Sequence, residues 1–165
     1  GNQFGLTPYG TEAMHVLRAE RGFIIVGQET DGTVSPIDLG MDWIISKKKK
    51  DFIGKRSLER ASMKQNDRKE LVGLLSDDPN TVIPEGAHAI DEKDLELEEK
   101  NILGHVTSSY FSSNCKRSIA MALIKNGRAR KGNKIVIPLL NGDKIKAKIV
   151  NPVFFDPNGV RKNGI

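Results

Sequence analysis

The amino-acid sequence predicts an α+β protein, in which an α/β segment is followed by a small antiparallel β-domain. Residues 1–66 combine helix-like patterns with two short apolar runs. From residue 67 to residue 165, short strand-like segments follow one another without a helical pattern between them. Within that second part, Asn141 and Gly142 separate two apolar segments in the manner of a β-hairpin. These observations place a domain boundary between residues 66 and 67.

The first element is a predicted helix that begins near Glu12 and ends before Gly22. An acidic residue in the first turn interacts favourably with the helix dipole. Ala13, Met14 and Leu17 fall on one side of the helix, which predicts the side that packs. Gly22 suits the position after the helix, where a left-handed backbone favours glycine.

Two predicted strands and a second predicted helix complete the first segment. The run "FIIV" at 23–26 is apolar and bounded by glycines, which predicts a buried strand. The run "MDWIIS" at 41–46 predicts a second strand, and "KRSLERASMK" at 55–64 predicts a second helix. This alternation of helix and strand gives the segment its α/β character.

The second part contains six strand candidates, which predict antiparallel packing. In the last candidate, Ile145, Ala147 and Ile149 alternate with lysines, so one face is expected to be buried and the other solvated. Pro138 lacks an amide hydrogen and therefore predicts a sheet edge or a bulge in the preceding strand. The six candidates are "ELVGLLS", "HAI", "ILGHVTSSYF", "SIAMALI", "NKIVIPLL" and "DKIKAKIV".

Composition indicates a globular protein. The chain has 165 residues and 38% hydrophobic content, which is enough to fill a core. It has no apolar run of membrane-spanning length, and its first residues, "GNQFGLTPYG", lack the features of a signal peptide. The single Cys115 forms no internal disulfide. We therefore expect a cytoplasmic protein with no membrane partner.

The charge pattern argues against a nucleic-acid partner. The net charge of +5 permits acidic ligands, but the two signs are mostly interspersed. Lysines 47–50 form the strongest basic run, yet no arginine–aromatic interleaving surrounds them, so a solvated loop is the favoured interpretation. The acidic run "DEKDLELEEK" at 91–100 is likewise interpreted as an exposed connection.

The usual catalytic patterns are absent from the sequence. His15, His88 and His105 lack a metal-ligand spacing, and Cys115 has no histidine or acidic partner nearby in the chain. The serines at 108–113 are not framed by a G-x-S-x-G elbow, and there is no phosphate-binding loop or dinucleotide fingerprint. These residues therefore predict no metal site, no nucleotide site and no catalytic residue.

Seven motifs follow one another along the chain: "LRAERG", "VGQETDGTVSPIDLGMDW", "DFIGKRSL", "LVGLL", "PEGAHA", "LGHVTSSYFSSNCKRSIAMALI" and "KIKAKIVNPVFFDP". Together and in this order they resemble the folate-binding aminomethyltransferase family, which includes the T-protein of the glycine cleavage system. Within this family, residues 9–34 resemble the α subunits of heterotetrameric sarcosine oxidases, where such a module ends a longer chain. The resemblance implies that residues 1–66 are the C-terminal piece of a folate-binding α/β domain and that residues 67–165 are the family's β-barrel domain. It also implies that the family's catalytic aspartate has no counterpart in this sequence.

The resemblance implies a folate-binding set. Trp43 matches the tryptophan of the family's L-G-W motif and would lie beside the folate, where stacking on an aromatic ring is chemically sensible; the alternative is a core tryptophan. Arg18 and Glu20 match the family's L-R-L-E pair, for which two roles remain open: an arginine fork that holds the neighbouring loop, or direct ligand contact. Tyr9 and Arg161 are further candidates for the folate cavity.

Two further positions, Met14 and Asp31, are not assigned to the folate-binding set. Where the T-protein has an arginine implicated in folate contact, this chain has Met14, which disfavours T-protein activity and is compatible with sarcosine oxidase. Asp31 precedes Gly32 and is interpreted as a turn former rather than a base.

Two classes of function follow from the resemblance. The first is the folate-binding part of a sarcosine oxidase, whose parent enzyme also uses FAD, FMN and NAD bound outside these residues, with the other subunits as partners. The alternatives within this class are a T-protein-like aminomethyltransferase and a dimethylglycine dehydrogenase-like enzyme. The second class is a non-catalytic domain that docks a partner subunit. In either class, an incomplete α/β domain leaves apolar surface that favours self-association, and the isolated chain is expected to be inactive.

Overall fold

The computed structural model describes residues 1–97 and 100–161. Its second part is a closed barrel of six antiparallel strands in the order β1-β4-β3-β2-β5-β6, with β6 pairing back onto β1. The six strand candidates of the sequence all form strands, and the α+β class is confirmed. The strands are β1 (Lys69–Ser76), β2 (His88–Asp91), β3 (Ile102–Ser112), β4 (Arg117–Lys125), β5 (Lys134–Pro138) and β6 (Lys144–Val150).

The predicted hairpin connects β5 to β6. Ile145, Ala147 and Ile149 are buried, and the lysines between them are exposed. Pro138 pairs with Lys144 at the last position of β5. In the closed barrel β5 is not an edge strand and has no bulge at Pro138, but its pairing with β2 ends at Val136, so Pro138 has a pairing partner on one side only.

Strand β4 is buried on both faces. Its inward residues, such as Ala120, Ala122 and Ile124, belong to the barrel core. Its outward residues Ile119 and Met121 belong to a second apolar cluster on the outside of the barrel. A second layer must therefore cover this side of the barrel, and the first segment supplies it.

Close packing between strands requires a glycine in β3. A Cβ atom added to Gly104 would overlap the backbone of Leu123 on β4. No side chain fits at this position without displacing a strand of the barrel.

The first segment contains α1 (Thr11–Glu20) and the short α2 (Lys55–Leu58). As predicted, Gly22 follows α1 with a φ angle of 68°, and a Cβ atom there would lie 2.7 Å from the Pro152 carbonyl oxygen. The predicted packing side of the helix is wrong. Met14 and Leu17 are exposed, whereas Arg18, Ala19 and Glu20 are buried.

The predictions of a strand at 23–26 and of a strand at 41–46 are both wrong. Residues 23–26 form no strand, and Phe23 and Val26 are exposed. Residues 41–46 contain a single 3-10 turn, Asp42–Ile44. The predicted helix at 55–64 is interrupted: α2 ends at Leu58, and a 3-10 turn follows at Ala61–Met63. All of residues 1–66 are described, and none of them belongs to a named strand, so these short runs have no sheet to join.

The charged runs are largely solvated. Lysines 47–50 are exposed and follow a 3-10 turn rather than a strand. In the acidic run, Asp94 is buried, while residues 98 and 99 lie outside the described part of the chain. Across the residues that the structure describes, no helix has the length and apolar character needed to cross a bilayer.

Candidate functional site

A buried ion pair joins α1 to the loop that follows it. Arg18 Nη1 lies 2.9 Å from Glu29 Oε2, and both side chains are buried. Arg18 also donates to the Phe23 carbonyl at 3.1 Å and to Gln28 Oε1 at 3.0 Å. Ser108 on β3 accepts a hydrogen bond from Arg18 and donates one to Glu29. The guanidinium is therefore a fork that holds this loop against the barrel.

The loop takes its shape from side-chain acceptors rather than from a neighbouring strand. The Ile25 amide donates to Glu29 Oε2 at 2.7 Å, which replaces the ladder hydrogen bond that a strand would make. Farther along, Asp31 Oδ1 accepts from the Thr33 amide at 2.7 Å and from the Thr33 hydroxyl at 2.6 Å. These hydrogen bonds lower the pKa of Asp31. Asp31 thus forms the turn that the sequence indicates.

Glu20 lies in a separate buried network. Its Oε1 accepts a hydrogen bond from the Ser112 hydroxyl at 2.6 Å, and its Oε2 accepts one from Asn114 Nδ2 at 2.8 Å. Its backbone carbonyl accepts from the amides of Phe154 and Phe155 at 2.9 and 3.0 Å. The end of α1 is therefore tied to the β3–β4 turn and to the segment after β6.

A third polar contact fixes the loop that leads to Trp43. Arg68 Nε donates to Asp38 Oδ1 at 2.8 Å, and Ser35 donates to Asp38 Oδ2 from its amide and its hydroxyl. Burial raises the pKa of the Asp38 carboxyl, but the hydrogen bonds from Arg68 and Ser35 lower it by more, so the pKa lies below its ordinary value. The Leu71 amide of β1 donates to the Asp38 carbonyl at 2.9 Å.

Trp43 stands at a cavity of about 520 Å³ between this loop and the outside of the barrel. The indole is 76% exposed, so it is not a core residue in this chain. The cavity has an apolar lining that includes Leu39 and Leu71, and its cationic lining residues are Arg21, Arg128 and Lys131. An exposed aromatic face beside apolar and cationic groups suits an aromatic ligand that carries carboxylates.

The five residues of the predicted folate set do not share one cavity. Arg18 and Glu20 lie in the two buried networks, and Tyr9 is exposed ahead of α1. Arg161 lies over the ring of Phe155, at 5.5 Å from the ring centroid, and lines another cavity of about 500 Å³ together with Glu20. Trp43 lines the first cavity alone among the five.

The sequence interpretation did not identify the partners that build these networks. Glu29 stands in a polar loop, where a buried carboxylate has no local signal. Ser108 gave a weak signal, since hydroxyl residues are frequent in β3 and one of them faces Arg18. Asp38 and Arg68 are 30 residues apart, and no short motif connects them. In the described ranges 1–97 and 100–161, no group of three or more histidine, cysteine or acidic residues is placed to hold a metal ion.

Fold and sequence together define the class of protein. Residues 69–156 match the glycine cleavage T-protein C-terminal barrel domain, and residues 1–49 match the GCVT N-terminal domain. The chain belongs to the glycine cleavage T-protein family of aminomethyltransferase-related proteins.

Three individual proteins show which members of the family this chain is similar to. The chain is 49% identical over 165 residues to the sarcosine oxidase subunit alpha of Corynebacterium sp. (strain P-1), covering 99% of this chain and 17% of that protein. It is 36% identical over 155 residues to the aminomethyltransferase of Bacteroides thetaiotaomicron, covering 93% of this chain and 40% of that protein. The crystal structure of glycine cleavage system aminomethyltransferase T from Bartonella henselae superposes with a TM-score of 0.74 at 25% identity, covering 88% of this chain and 38% of that chain. The chain therefore spans less than half the length of these relatives.

The Arg18–Glu29 pair generates a stability prediction. Glu29→Gln leaves the Arg18 guanidinium buried without a charge partner, so we expect the free energy of unfolding to fall by about 3 kcal/mol. Urea denaturation followed by circular dichroism measures this loss. Glu92→Gln is the control, because Glu92 and Lys146 form an exposed pair that should contribute less than about 1 kcal/mol. Equal losses of unfolding free energy in the two variants would contradict the conclusion that the Arg18–Glu29 pair holds the loop against the barrel.

The Asp38 carboxylate generates a pH prediction. Because its folded-state pKa is depressed, the stabilisation is present above the ordinary value of about 3.9 and is lost as the pH falls through the folded pKa. We expect Asp38→Asn to lose about 2 kcal/mol at neutral pH and the difference from wild type to shrink in strong acid. Urea denaturation across this pH range tests it, with the exposed Asp67→Asn as the control. A loss that does not change with pH would contradict the charge-dependent contact.

Proposed function

We propose that this chain is the folate-facing C-terminal part of a sarcosine oxidase-type α subunit. The observation that carries the proposal is the exposed Trp43 indole at an apolar, cationic cavity. The subgroup is supported by identities of 49%, 47% and 39% to three proteins named sarcosine oxidase subunit alpha, over 98–99% of this chain. Five proteins named aminomethyltransferase have identities of 30–36%.

The whole enzyme, in this proposal, oxidises sarcosine and passes its methyl carbon to tetrahydrofolate. Glycine and methylene-tetrahydrofolate are the products, and dioxygen takes up the two electrons as hydrogen peroxide. The FAD, FMN and NAD implied by this activity would be held by other parts of the enzyme, and its other subunits would be the partners. Residues 1–165 contribute ligand positioning and no catalytic residue, so the chain alone is expected to be inactive.

The residues around Trp43 suit tetrahydrofolate, which has aromatic rings at one end and carboxylates at the other. Trp43 would stack on a ring, while Lys131 supplies positive charge at the same cavity; Arg128 also lines this cavity but is paired with Glu70. Arg18 and Glu20 would act indirectly, because both Nη atoms of Arg18 and both carboxylate oxygens of Glu20 are engaged in the buried networks. Tyr9, ahead of α1, and Arg161, in the chain after β6, remain proposed contacts.

A large apolar surface supports a covered position for residues 1–66 in the whole enzyme. Large hydrophobic side chains are exposed throughout this segment, and surface of this kind marks contact with another domain or chain. In the isolated chain the same surface favours self-association. The exposed residues are Phe4, Leu6, Tyr9, Met14, Leu17, Phe23, Val26, Ile37, Trp43, Ile44 and Ile53.

Two alternative functions remain. The first is the aminomethyltransferase reaction itself, or the related oxidation of dimethylglycine, which the barrel and the family match also allow. Against T-protein activity stands Met14, an exposed apolar residue where the resemblance implies an arginine. The second alternative is a non-catalytic domain that docks a partner subunit through the apolar surface.

Folate titration tests the proposal. We expect residues 1–165 to bind tetrahydrofolate weakly and to form neither hydrogen peroxide nor methylene-tetrahydrofolate from sarcosine, because one wall of a site leaves most of the ligand in water. A longer version that carries a complete GCVT N-terminal domain should bind more tightly. In that version Trp43→Ala should weaken binding about tenfold, since an aromatic contact contributes about 1 kcal/mol beyond its buried area.

Phe111→Ala is the matched control for Trp43→Ala, because Phe111 is an exposed aromatic residue on β3 that does not line the Trp43 cavity. Isothermal titration calorimetry gives the affinities, and sedimentation velocity on the same samples reports self-association. Turnover by residues 1–165 alone, or equal folate affinity in the two variants, would overturn the proposed role.

A further inference from the structure

A second cavity, of about 480 Å³, lies on the outside of the barrel between the β3–β4 turn and the segment after β6. We name it the Cys115 cavity. None of the five residues of the predicted folate set lines it, although Lys131, which the proposed function places at the Trp43 cavity, lines both cavities. Its lining residues are Leu75, Cys115, Arg117, Ile119, Lys131, Val150, Asn151, Val153, Phe154 and Phe155.

The charged residues of the Cys115 cavity are all positive. Arg117 and Lys131 line it, and no aspartate or glutamate does. Lys131 is exposed and has no ion-pair partner within 4 Å among the described residues. The cavity therefore carries positive charge that is not neutralised by its own lining.

Arg117 retains an unused donor. Its Nη2 donates to the Ser76 carbonyl at 2.6 Å, but its Nε is buried and has no hydrogen-bond partner within the described part of the chain. A buried donor without a partner costs free energy, and such groups are rare in folded proteins. Arg117 also has no ion-pair partner among the described residues, so an anion near this guanidinium would compensate its charge.

The remaining lining is mostly apolar. Leu75, Ile119 and Phe154 all belong to, or pack against, the apolar cluster outside the barrel. A concave apolar surface of this volume with a few convergent polar groups is typical of small-molecule sites. The combination of an apolar surface with two cations favours a ligand that has both an apolar body and an acidic group.

We propose that the Cys115 cavity binds a small amphipathic anion. The aromatic or acyl body of the ligand packs on Phe154 and Leu75, and its carboxylate, sulfonate or phosphate group pairs with Arg117 and Lys131. Lys131 also lines the Trp43 cavity, so the two cavities share this lysine.

The single cysteine of the chain provides a local readout of occupancy. Cys115 lines the cavity and is half-buried, so its alkylation by neutral iodoacetamide reports access to this site alone. The probe is 8-anilinonaphthalene-1-sulfonate, an aromatic anion. At saturation we expect the probe to slow alkylation of Cys115 about tenfold, as measured by intact mass spectrometry. Probe molecules bound to the apolar surface of residues 1–66 do not affect this readout.

Charge dependence separates an anion site from an apolar cavity. N-phenyl-1-naphthylamine lacks the sulfonate and should protect Cys115 with an affinity about tenfold lower, because it forms no charge-assisted contact. Lys131→Met keeps the apolar stem and should weaken protection by the sulfonate about tenfold. Lys144→Glu, at an exposed lysine on β6, should leave protection unchanged. Absence of protection, or equal protection by both probes with no effect of Lys131→Met, would overturn the proposal.

Discussion

The buried contact between Arg18 and Glu29 is the interaction on which the arrangement of the first segment depends. A charge inside a protein is tolerated only when it is paired and hydrogen-bonded, and here each side chain meets that condition through the other and through Ser108. The pair therefore fixes α1, the loop after it and β3 in one relative position. The Glu20 and Asp38 networks hold the two neighbouring parts of the segment in the same way.

The first segment buries polar side chains against the barrel and leaves large hydrophobic side chains exposed. The side that faces the barrel is buried through arginine and carboxylate groups, together with the apolar cluster around Met121. The same segment leaves large hydrophobic residues exposed, including Met14 and Leu17 on α1. A helix that packs by its polar residues and exposes apolar ones is poorly explained by one isolated domain. It is explained by a segment that lies between the barrel and another folded unit, which is the position we propose for it.

The sequence predicted the barrel far better than the first segment. Strand alternation in β6 and the Asn141–Gly142 turn are local signals, and neighbouring strands supplied the partners that those signals require. The predicted strand at 23–26 failed because an apolar run becomes a strand only beside another strand, and the Ile25 amide instead meets a carboxylate. The prediction of which side of α1 packs was wrong because hydrophobic periodicity assumes that the buried residues are apolar, whereas α1 buries Arg18 and Glu20. The match to the glycine cleavage T-protein barrel confirmed the family resemblance, whereas the folate contacts stay predictions.

Native-state hydrogen exchange tests most directly whether the first segment is fixed to the barrel. Among the backbone amides that donate from the barrel part to the first segment, Leu71 donates to the Asp38 carbonyl and Phe154 donates to the Glu20 carbonyl. We expect both amides to exchange at least about a hundredfold more slowly than in an unstructured peptide. The amide of Ala122 within the barrel is the reference and is expected to be protected as well. Exchange of Leu71 and Phe154 at the unprotected rate, while Ala122 stays protected, would contradict the account.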